Sequence, residues 1–502
     1  MKTNYKLIKF VFKYLKMLTF SNKIKYSGIV SFSKNSNYFA VSKGVDLVIY
    51  DNKTLKQVQK FTFCDFIEDI QWSPNGKLIL AGLYKRSICE LRSIENNKWF
   101  CKINEGVLGI TNALFSPDSL NIITISENNI KLTIRNLTKK NYTYFINMPK
   151  FSKKGLSFSK KGNLMALAER RNYQDLIGVY FLENWSCITK FTPQTEDLQD
   201  IQWSYDCSSL LIPDTPSLCK LFIYSPLGDL ISAIEIYKLK LGIKNLEFSP
   251  NGHYICLGLF DQSVRIYNNI SYTCVSVFEH DRNILNDNKA NYFREELIDD
   301  KGKTKYISLT PPINIENENI YPTANLILPD KIPKFGVNKI SISCNNNFLA
   351  AKNDNMPRII FIWDLIKMSL NTVLIQINEI SNFQWARNQN ILFISTSNNK
   401  LYYFTLDSCK IAELDQSFSN NNFVLSPNGT KMILKDNDYF IVVDINSPKM
   451  IDEIKDETEK NLEEDTQDIH QKEDENGEEQ QGIDPNNNPF GFQEETNMEP
   501  LD

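Results

Sequence analysis

The sequence has 502 residues, of which 42% are hydrophobic and 23% charged, so most of the chain can bury a core. Ten cysteines without a Cys-x-x-Cys pair exclude a dense disulfide framework and favour a reducing compartment, the cytosol or nucleus. The net charge of −4 hides an asymmetry, because residues 451–502 carry −16 and the first 450 residues +12. The tail either keeps a basic body soluble or signals acidic partners for that body.

The first element is a basic leader, residues 1–27. Lysines recur every three or four residues from Lys2 to Lys16, with apolar residues between them. On a helix this spacing gives a lysine stripe opposite a wide apolar face, suited to a membrane surface or a partner. The lysines interrupt the apolar run too often for a signal peptide. The alternative is that Met17 is the true start and the leader is an upstream extension.

A repeat follows the leader. Each copy has an apolar residue, a spacer, an aromatic or apolar anchor, usually a serine, and then a turn rich in Pro, Asn, Asp and Gly. The alternation through the anchor predicts a half-buried strand, and the apolar run after the turn predicts its hairpin partner. The turn residues fit, because Pro presets φ and Gly accepts a positive φ. The anchors are Phe32, Trp72, Phe115, Phe158, Trp203, Phe248, Ile342, Trp385 and Leu425.

The period identifies the architecture. Successive anchors are 40 to 45 residues apart, except for 94 residues between Phe248 and Ile342. That period is typical of a four-stranded propeller blade. A later strand ends in Trp363-Asp364, the full form of a pair with weaker relatives in other repeats. The sequence therefore predicts an all-β WD-repeat β-propeller of about seven to nine blades, with blades 1–6 in residues 28–280 and blades 7–9 in residues 336–450.

Closure of the array leaves two alternatives. Nine repeats form one large ring, or seven or eight blades form the ring and the remaining strands pack outside it. Each blade buries its faces only against its neighbours, so the array is stable when it closes or is capped. Two complete propellers would need a longer chain.

Two segments depart from the repeat. Residues 281–335 combine charged and Asn-rich stretches with five prolines and lack an alternating core signal. They predict a long surface insertion, either a partner-binding loop or disorder without a role. Residues 451–502 are acidic and poor in aromatics, which predicts a disordered tail. The tail contains Asn488-Pro489-Phe490, a tripeptide that endocytic adaptor domains bind but that alone carries little information.

No pattern of catalytic or metal-binding residues is found. The three histidines, His253, His280 and His470, are scattered, and no His/Cys group has metal-ligand spacing. Glu295-Glu296 lies in the polar insertion, where we expect a solvated face. The lysines of the body are dispersed instead of forming an aromatic-studded stripe for nucleic acid. The sequence predicts no enzyme activity, no cofactor, no metal site and no nucleic-acid partner.

Three polar clusters fall where a propeller has loops between strands. Either they line a face that docks a partner, or they cap strands and form hydrogen bonds between blades. The clusters are Tyr84-Lys85-Arg86, Glu169-Arg170-Arg171 and Asn353-Asp354-Asn355.

These strings carry a family resemblance. With Trp99–Gly106 (WFCKINEG), Thr195–Leu198 (TEDL) and Leu241–Lys244 (LGIK), they resemble, in content and order, segments of the WD repeat-containing protein eight family, the antisense-to-p-seventy-three type. General WD-repeat proteins share the turns but not these strings. The resemblance extends from about Met17 to Asn446, and the start of the family resembles residues 17–21. Many WD dipeptides are degraded here, which leaves blade boundaries open.

The resemblance implies a scaffold at the centrosome, basal body or spindle pole. Members of this family bind a coiled-coil centrosomal or satellite protein and help to anchor microtubule minus ends, in some lineages with a minus-end-directed kinesin. They also support spindle organisation and cilium assembly. The alternative is a WD-repeat adaptor of another complex, either a ubiquitin-ligase substrate receptor or an RNA-processing subunit. Co-purification with a coiled-coil protein, a cullin adaptor or RNA distinguishes these hypotheses.

Overall fold

The structure is a computed structural model. The lysine stripe of the leader and the acidic tail with its Asn-Pro-Phe tripeptide lie outside the residues that it describes. The described residues are 18–26, 28–139, 143–236, 241–280, 283–284, 290–298, 302–311, 313–314, 335–406 and 408–445.

Residues 18–445 form one compact unit of β-sheets, in which all strand pairs described are antiparallel except one. Two short strands come first, β1 (Leu18–Phe20) and β2 (Ile24–Lys25). Blades 1 to 3 follow, with four strands each: β3 (Val30–Phe32), β4 (Tyr38–Lys43), β5 (Asp46–Asp51), β6 (Gln57–Thr62); β7 (Asp69–Trp72), β8 (Leu78–Leu83), β9 (Ile88–Ser93), β10 (Phe100–Asn104); β11 (Asn112–Phe115), β12 (Asn121–Ile125), β13 (Lys131–Asn136), β14 (Thr143–Asn147).

Blades 4 to 6 repeat this order: β15 (Leu156–Phe158), β16 (Leu164–Arg171), β17 (Gln174–Phe181), β18 (Cys187–Phe191); β19 (Gln202–Trp203), β20 (Leu210–Pro213), β21 (Lys220–Tyr224), β22 (Leu230–Glu235); β23 (Ile243–Phe248), β24 (Tyr254–Leu259), β25 (Ser263–Asn268), β26 (Cys274–Glu279). The insertion contributes β27 (Asn283–Ile284), β28 (Asn291–Leu297), β29 (Thr304–Leu309) and β30 (Ile313–Asn314).

Blades 7 to 9 complete the ring: β31 (Val337–Ile342), β32 (Phe348–Asn353), β33 (Ile359–Asp364), β34 (Ser369–Ile375); β35 (Asn382–Trp385), β36 (Leu392–Ser395), β37 (Lys400–Thr405), β38 (Ser408–Glu413); β39 (Asn422–Leu425), β40 (Lys431–Lys435), β41 (Tyr439–Ile445). The helical residues of the described chain are three short 3₁₀ turns, Tyr84–Arg86, Gly106–Leu108 and Glu127–Asn129. The fold is therefore a nine-bladed propeller, the upper end of the predicted range.

The core consists of a series of apolar clusters between adjacent blades, because each sheet buries its faces against its neighbours. The ring closes between blade 9 and blade 1, where Val30 and Phe39 pack against Ile433 and Phe440. The repeat anchors contribute to these seams. Trp72 is buried and its indole N–H donates to Ser31 O of blade 1 at 3.1 Å.

The other predicted repeat residues lie in the same seams. Trp203, equally buried, donates to Ser157 O of blade 4 at 3.1 Å. Phe115 and Trp385 are also buried, whereas Phe158 and Phe248 are half-buried. Trp363 stacks on Phe278 of blade 6 with ring centroids 4.5 Å apart.

The ninth blade corrects the leader boundary. Its first three strands come from the end of the described chain, and β1 supplies the fourth, with Leu18 opposite Ile445 and Phe20 opposite Val443. The strand β2 also pairs with β41. Residues 18–25 therefore belong to the propeller and not to a leader reaching residue 27. Sequence patterns missed this because the strand is three residues long and its partner lies more than 400 residues away.

The turns between the first and second strands use one repeated set of hydrogen bonds. In blade 2, Ser73 Oγ donates to Asn75 Oδ1 at 2.7 Å and accepts the backbone N–H of Leu78 at 2.9 Å. Gly76 follows with φ +71°, a conformation that favours glycine. The other blades repeat the serine bond, as at Ser249 and Ser426, except blade 8, where Ala386 takes the place of the serine. The turn chemistry predicted from the sequence is what closes these hairpins.

The ring has two faces, formed by different connections between its strands. The turns between the first and second strands and between the third and fourth strands lie at one end of the sheets, and we call this end the turn face. Backbone bonds join the two kinds of turn within a blade, such as Asn269 N to His253 O at 2.9 Å and Leu365 N to Asn347 O at 2.8 Å. The opposite end, formed by the connections between second and third strands and between blades, is the loop face.

The insertion is partly built into blade 7. The strand β28 pairs in parallel with β34, the outer strand of the blade, and β29 pairs with β28, so the sheet has six strands. Glu295 is buried, not solvated as the sequence predicted, and accepts hydrogen bonds from Tyr402 Oη at 2.8 Å and Ile377 N at 3.1 Å. The strand β28 could not be recognised from the sequence because the charged run Arg294-Glu295-Glu296 interrupts the apolar alternation, and the Glu295 carboxylate takes an inward position where an apolar residue is expected. The hairpin thus ties blade 7 to blade 8.

Candidate partner-binding face

All three polar clusters lie at the loop face, in or directly beside the connection between the second and third strands of their blades. The sequence predicted loops at all three places, but residues 169–171 end the strand β16 and Asn353 ends the strand β32. The clusters belong to blades 2, 4 and 7, so the first two are separated by one blade and the third lies further round the ring. Their side chains are used in different ways, and these differences decide which of them are available to a partner.

In blade 2, Tyr84 anchors the cluster and Lys85 and Arg86 project from it. Tyr84 Oη donates to Asp69 Oδ2 at 3.1 Å and accepts the backbone N–H of Ala113 in blade 3 at 3.2 Å. Burial and the Asp69 carboxylate raise the pKa of Tyr84 well above its usual value. The tyrosine ring lies over Gly82, where a Cβ would come within 2.6 Å of it. The glycine is therefore needed for the tyrosine to bridge two blades.

The two basic residues of this cluster are exposed. Arg86 Nε is 2.7 Å from Asp65 Oδ2, and this hydrogen bond lowers the pKa of Asp65. The backbone N–H of Lys85 donates to Glu68 Oε1 at 3.0 Å, and the residue is exposed. Asp65 and Glu68 lie in the segment that joins blade 1 to blade 2, so the cluster is set among carboxylates from a neighbouring loop.

In blade 4, Glu169 is a buried hub and not a surface residue. It is fully buried and accepts hydrogen bonds from Tyr180 Oη at 2.5 Å and Lys190 Nζ at 2.9 Å. Arg171 lies 3.2 Å from the same carboxylate. Burial and the bond to Glu169 raise the pKa of Tyr180 well above its usual value. Glu169 therefore positions Arg171 and cannot itself reach a partner, because the hairpin β16–β17 encloses it.

Arg170 belongs to a second ionic network that joins blade 4 to the following loop. Lys150 is almost completely buried and donates to Asp175 at 2.7 Å, Asp197 at 2.8 Å and Leu198 O at 2.7 Å. Arg170 contacts Asp197 at 2.9 Å and remains nearly half exposed. Burial opposes ionisation of Asp197, but Lys150 and Arg170 outweigh it and lower its pKa. The network fixes the loop and leaves the Arg170 side chain partly exposed.

In blade 7, the asparagines are internal. Asn353 and Asn355 are fully buried; Asn353 donates to Gln262 Oε1 at 3.1 Å, and Asn355 accepts from Gly336 N at 3.3 Å. Asp354 pairs with Lys244 at 2.5 Å. This cluster therefore connects blade 6 to blade 7. Of the two roles that the sequence allowed for the polar clusters, it has the one in which they form bonds between blades.

The structure brings Tyr84 together with residues that the sequence analysis did not select. A polar pocket of about 400 Å³ opens on the loop face between blades 2, 3 and 4. The only hint in the sequence was the run Asp65-Phe66-Ile67-Glu68-Asp69 just before an anchor strand. The residues around the pocket are Glu68, Asp69, Gln71, Tyr84, Asn112 and Lys153.

Exposed apolar side chains accompany this polar surface. Val107, in the loop from blade 2 to blade 3, and Tyr173, at the tip of the β16–β17 hairpin, are almost fully exposed. Phe66 is exposed beside the carboxylates of Asp65 and Glu68. Exposed aromatic side chains next to charged groups are typical of protein-binding surfaces. We call the loop face of blades 2 to 4, with its pocket, the candidate binding face.

Among the described residues, no group of three or more His, Cys, Asp or Glu side chains is placed to hold a metal ion. Within the same part of the chain, no helix has the length and apolar character needed to cross a membrane.

The comparisons with known proteins agree with this architecture. No family model matches the chain. A solved structure described as a eukaryotic initiation factor superposes with a TM-score of 0.52 at 12% identity, covering 77% of this chain and 88% of that one, which shows the fold alone. Together with the blades and their turns, this defines the chain as a WD-repeat propeller.

Sequence relatives narrow the class. The mouse WD repeat-containing protein WRAP73 is 31% identical over 407 residues, which covers 78% of this chain and 88% of that protein. An uncharacterized WD repeat-containing protein of Schizosaccharomyces pombe, C32H8.09, is 24% identical over 225 residues, 44% of each chain. The chain belongs to the family of WD repeat-containing protein WRAP73.

Proposed function

We propose that the protein is a non-enzymatic scaffold at the centrosome, basal body or spindle pole. In this role it binds a coiled-coil protein and helps to anchor microtubule minus ends, with consequences for spindle organisation and cilium assembly. The WD-repeat fold and the WRAP73 relationship support the scaffold role. The loop strings that resemble the WD repeat-containing protein eight family support the narrower assignment.

The observation that carries the proposal is the location of those strings. Two of them, around Tyr84 and Arg170, lie on the candidate binding face, and their polar groups are held by bonds to neighbouring loops. Residues that are fixed in this way are preorganised, so a partner does not have to order them on binding. The exposed side chains of Val107 and Tyr173 supply apolar contact area beside them.

The proposed mechanism is multivalent. A rigid ring holds several partners at fixed positions and raises their concentration relative to one another, without chemistry of its own. A coiled-coil helix suits the candidate binding face because such helices display charged residues flanking an apolar seam. A minus-end-directed kinesin and other components of an anchoring complex would be further occupants of the same scaffold.

The test is purification from dividing cells of the full chain and of two matched variants. The loop-face variant carries Lys85→Gln, Val107→Ser and Tyr173→Ser, all at exposed positions. The turn-face variant carries Leu227→Ser, Ile270→Ser and Ile366→Ser, which are exposed at the opposite end of the blades. We expect a centrosomal coiled-coil protein to co-purify with the wild-type chain and the turn-face variant, and to be depleted at least tenfold from the loop-face variant.

Other partners would redirect the assignment. Recovery of ubiquitin-ligase or RNA-processing subunits in place of a coiled-coil protein would keep the propeller and contradict the anchoring role. Equal recovery of the coiled-coil protein with both variants would keep the anchoring role and contradict the location of the binding face.

A further inference from the structure

The turn face carries exposed aliphatic side chains at equivalent places in three consecutive blades. In blades 5, 6 and 7, a capping oxygen at the start of the turn between the third and fourth strands accepts the backbone N–H two residues later, at 2.8 to 3.2 Å. The residues that donate are Leu227, Ile270 and Ile366, whose exposed fractions are 67%, 80% and 72%. The cap fixes the backbone and leaves each aliphatic side chain at the tip.

The turn itself does not require an aliphatic residue. In blades 1 and 3 the same capping bond, at 2.8 and 2.9 Å, is formed to Lys53 and Thr138. Isolated exposed apolar residues are common on protein surfaces and need no explanation. Here, however, the same turn position carries an exposed aliphatic side chain in three adjacent blades. These side chains add no buried apolar surface to the ring, so they form a recurring feature of its surface.

The turns of blades 1 to 4, on the same face, are rich in lysine. Within the described turns of blades 1 to 4, the acidic residues are Asp51, Glu95, Asp118 and Glu183, and Asp51 and Asp118 each cap their own turn. Eight exposed lysines stand among them: Lys34, Lys53, Lys56, Lys77, Lys98, Lys139, Lys160 and Lys161. Lys77 is paired with Glu95 at 3.0 Å. Lys34, Lys53, Lys56, Lys98, Lys160 and Lys161 form no ion pair with any residue that the structure describes.

The lysines and the aliphatic tips face in one direction. Hydrogen bonds join the turns of successive blades, from Asn75 N to Ser119 Oγ at 3.1 Å and from Asn251 N to Asn346 Oδ1 at 2.9 Å. The bond from Asn428 N to Ser36 Oγ at 3.0 Å closes the series between blades 9 and 1. A broad flat surface that approaches this end of the ring therefore meets both sets of side chains together.

We propose that the turn face docks on an anionic lipid bilayer. The aliphatic tips of blades 5 to 7 enter the headgroup boundary, and the lysines of blades 1 to 4 contact the negative headgroups. Apolar burial and electrostatic attraction to anionic lipids are the two terms that hold peripheral proteins on membranes. The loop face is then directed away from the bilayer and remains free for a protein partner.

A bilayer fits this surface better than an acidic protein segment does. One acidic helix or strand contacts a line of residues, so it reaches the lysines of blades 1 to 4 or the tips of blades 5 to 7, but not both. A bilayer is broad, flat and negative, and it accepts apolar side chains just below its charged surface. Charge complementarity and the layout of the tips both favour the membrane.

The test is co-sedimentation of the purified full chain with two kinds of vesicle, phosphatidylcholine alone and phosphatidylcholine with phosphatidylserine. We expect binding to the second kind only, and loss of that binding at about 1 M salt, where charges are screened beyond about 3 Å. The turn-face variant (Leu227→Ser, Ile270→Ser, Ile366→Ser) should bind at least tenfold more weakly. A lysine variant, Lys53→Gln, Lys98→Gln and Lys160→Gln, should bind about 100-fold more weakly, since each lysine near a charged membrane contributes about a fivefold factor.

Matched controls lie on the opposite face. Lys85→Gln, Lys153→Gln and Lys154→Gln remove the same charge from the loop face, and thermal melts of all variants check that the fold is retained. The leader is unchanged in every chain, so vesicle binding that survives the turn-face and lysine variants would assign the membrane contact elsewhere and overturn the proposal. Binding of the wild-type chain to poly-glutamate but not to vesicles would also overturn it, in favour of an acidic protein partner. Neither result depends on the coiled-coil partner.

Discussion

The two faces of the ring are built by different means. On the turn face, the same pair of bonds recurs in most blades: a serine hydroxyl donates to an asparagine or aspartate oxygen and accepts a backbone N–H. On the loop face, the clusters of blades 2, 4 and 7 use different groups: Tyr84 bridges blades 2 and 3, Glu169 is a buried hub, and Lys244 pairs with Asp354 between blades 6 and 7. Repetition marks the chemistry that any such ring needs, and irregularity marks what distinguishes this chain.

The largest expected effect falls on the irregular face. Glu169→Ala should lower the free energy of unfolding by about 3–5 kcal/mol, because removing one partner of a buried ionic group leaves the others unpaired. Chemical unfolding at neutral pH measures the change. Arg171→Ala is the control, since Arg171 is nearly half exposed and its loss should cost less than about 1 kcal/mol. A cost for Glu169→Ala as small as that of the control would mean that the hub is not a stabilising element.

The next effect is a pH dependence at the start of the insertion. His280 is buried and stacks on Phe361 with ring centroids 4.4 Å apart, and burial lowers its pKa to about 3. Below the ordinary histidine pKa of about 6.5 the unfolded chain takes up a proton that the folded chain refuses, so stability falls as the pH falls. The loss is about 2 kcal/mol between pH 7 and about pH 5.

His280→Phe isolates this contribution. The variant keeps an aromatic ring beside Phe361 and removes the titrating group, whereas the carboxylates that also respond to pH are unchanged. We expect its stability to fall by about 2 kcal/mol less than that of the wild-type chain between the two pH values. Parallel pH profiles for the two proteins would show that His280 is not buried as a neutral group.

A smaller and uniform effect is expected on the turn face. Ser73→Ala, Ser249→Ala and Ser426→Ala each remove a hydroxyl that accepts a backbone N–H at 2.9 to 3.0 Å. Each should cost about 1–2 kcal/mol, the usual range for an unpaired buried group or a lost cap. Unfolding midpoints of the three variants should agree closely. A wide spread among them would contradict the view that the turn face repeats one motif.

The smallest effect on stability should accompany the largest effect on binding. Tyr173→Ser changes an almost fully exposed side chain and should alter the free energy of unfolding by less than about 0.5 kcal/mol. We expect the same substitution to weaken the coiled-coil partner, measured by titration of the purified proteins. Asn355→Ala, at a fully buried position, should give the reverse result, with lower stability and little direct effect on affinity. If both variants changed affinity equally, exposure would not identify the binding residues.

Much of the fold was predictable because its signals are local. The anchor strands, the Ser-Pro-Asn-Gly turns and the capping residue Asp364 all depend on contacts between residues that are close together in the sequence. The fourth strand of blade 9 was not predictable, because β1 becomes a strand only when β41 is beside it. The strand β28 was hidden because Glu295 is inward-facing and is satisfied by Tyr402 from another blade.

The candidate binding face was predictable only in outline. The sequence placed three polar clusters in loops, but burial decides their availability. Glu169 lies inside the long hairpin β16–β17, and Asn353 and Asn355 are enclosed between blades 6 and 7. Val107 and Tyr173, the exposed apolar residues near the clusters, are isolated in the sequence and belong to no recognisable motif. Their meaning depends on a fold that brings distant loops to one end of the ring.

The most direct test of the scaffold role is imaging of the full chain, tagged at its C-terminus, in dividing cells with a γ-tubulin marker. We expect a punctate signal that coincides with γ-tubulin for the wild-type chain. For the variant with Lys85→Gln, Val107→Ser and Tyr173→Ser, we expect loss of that signal at an equal protein level. A wild-type chain that is diffuse or nuclear would contradict the role at microtubule-organising centres.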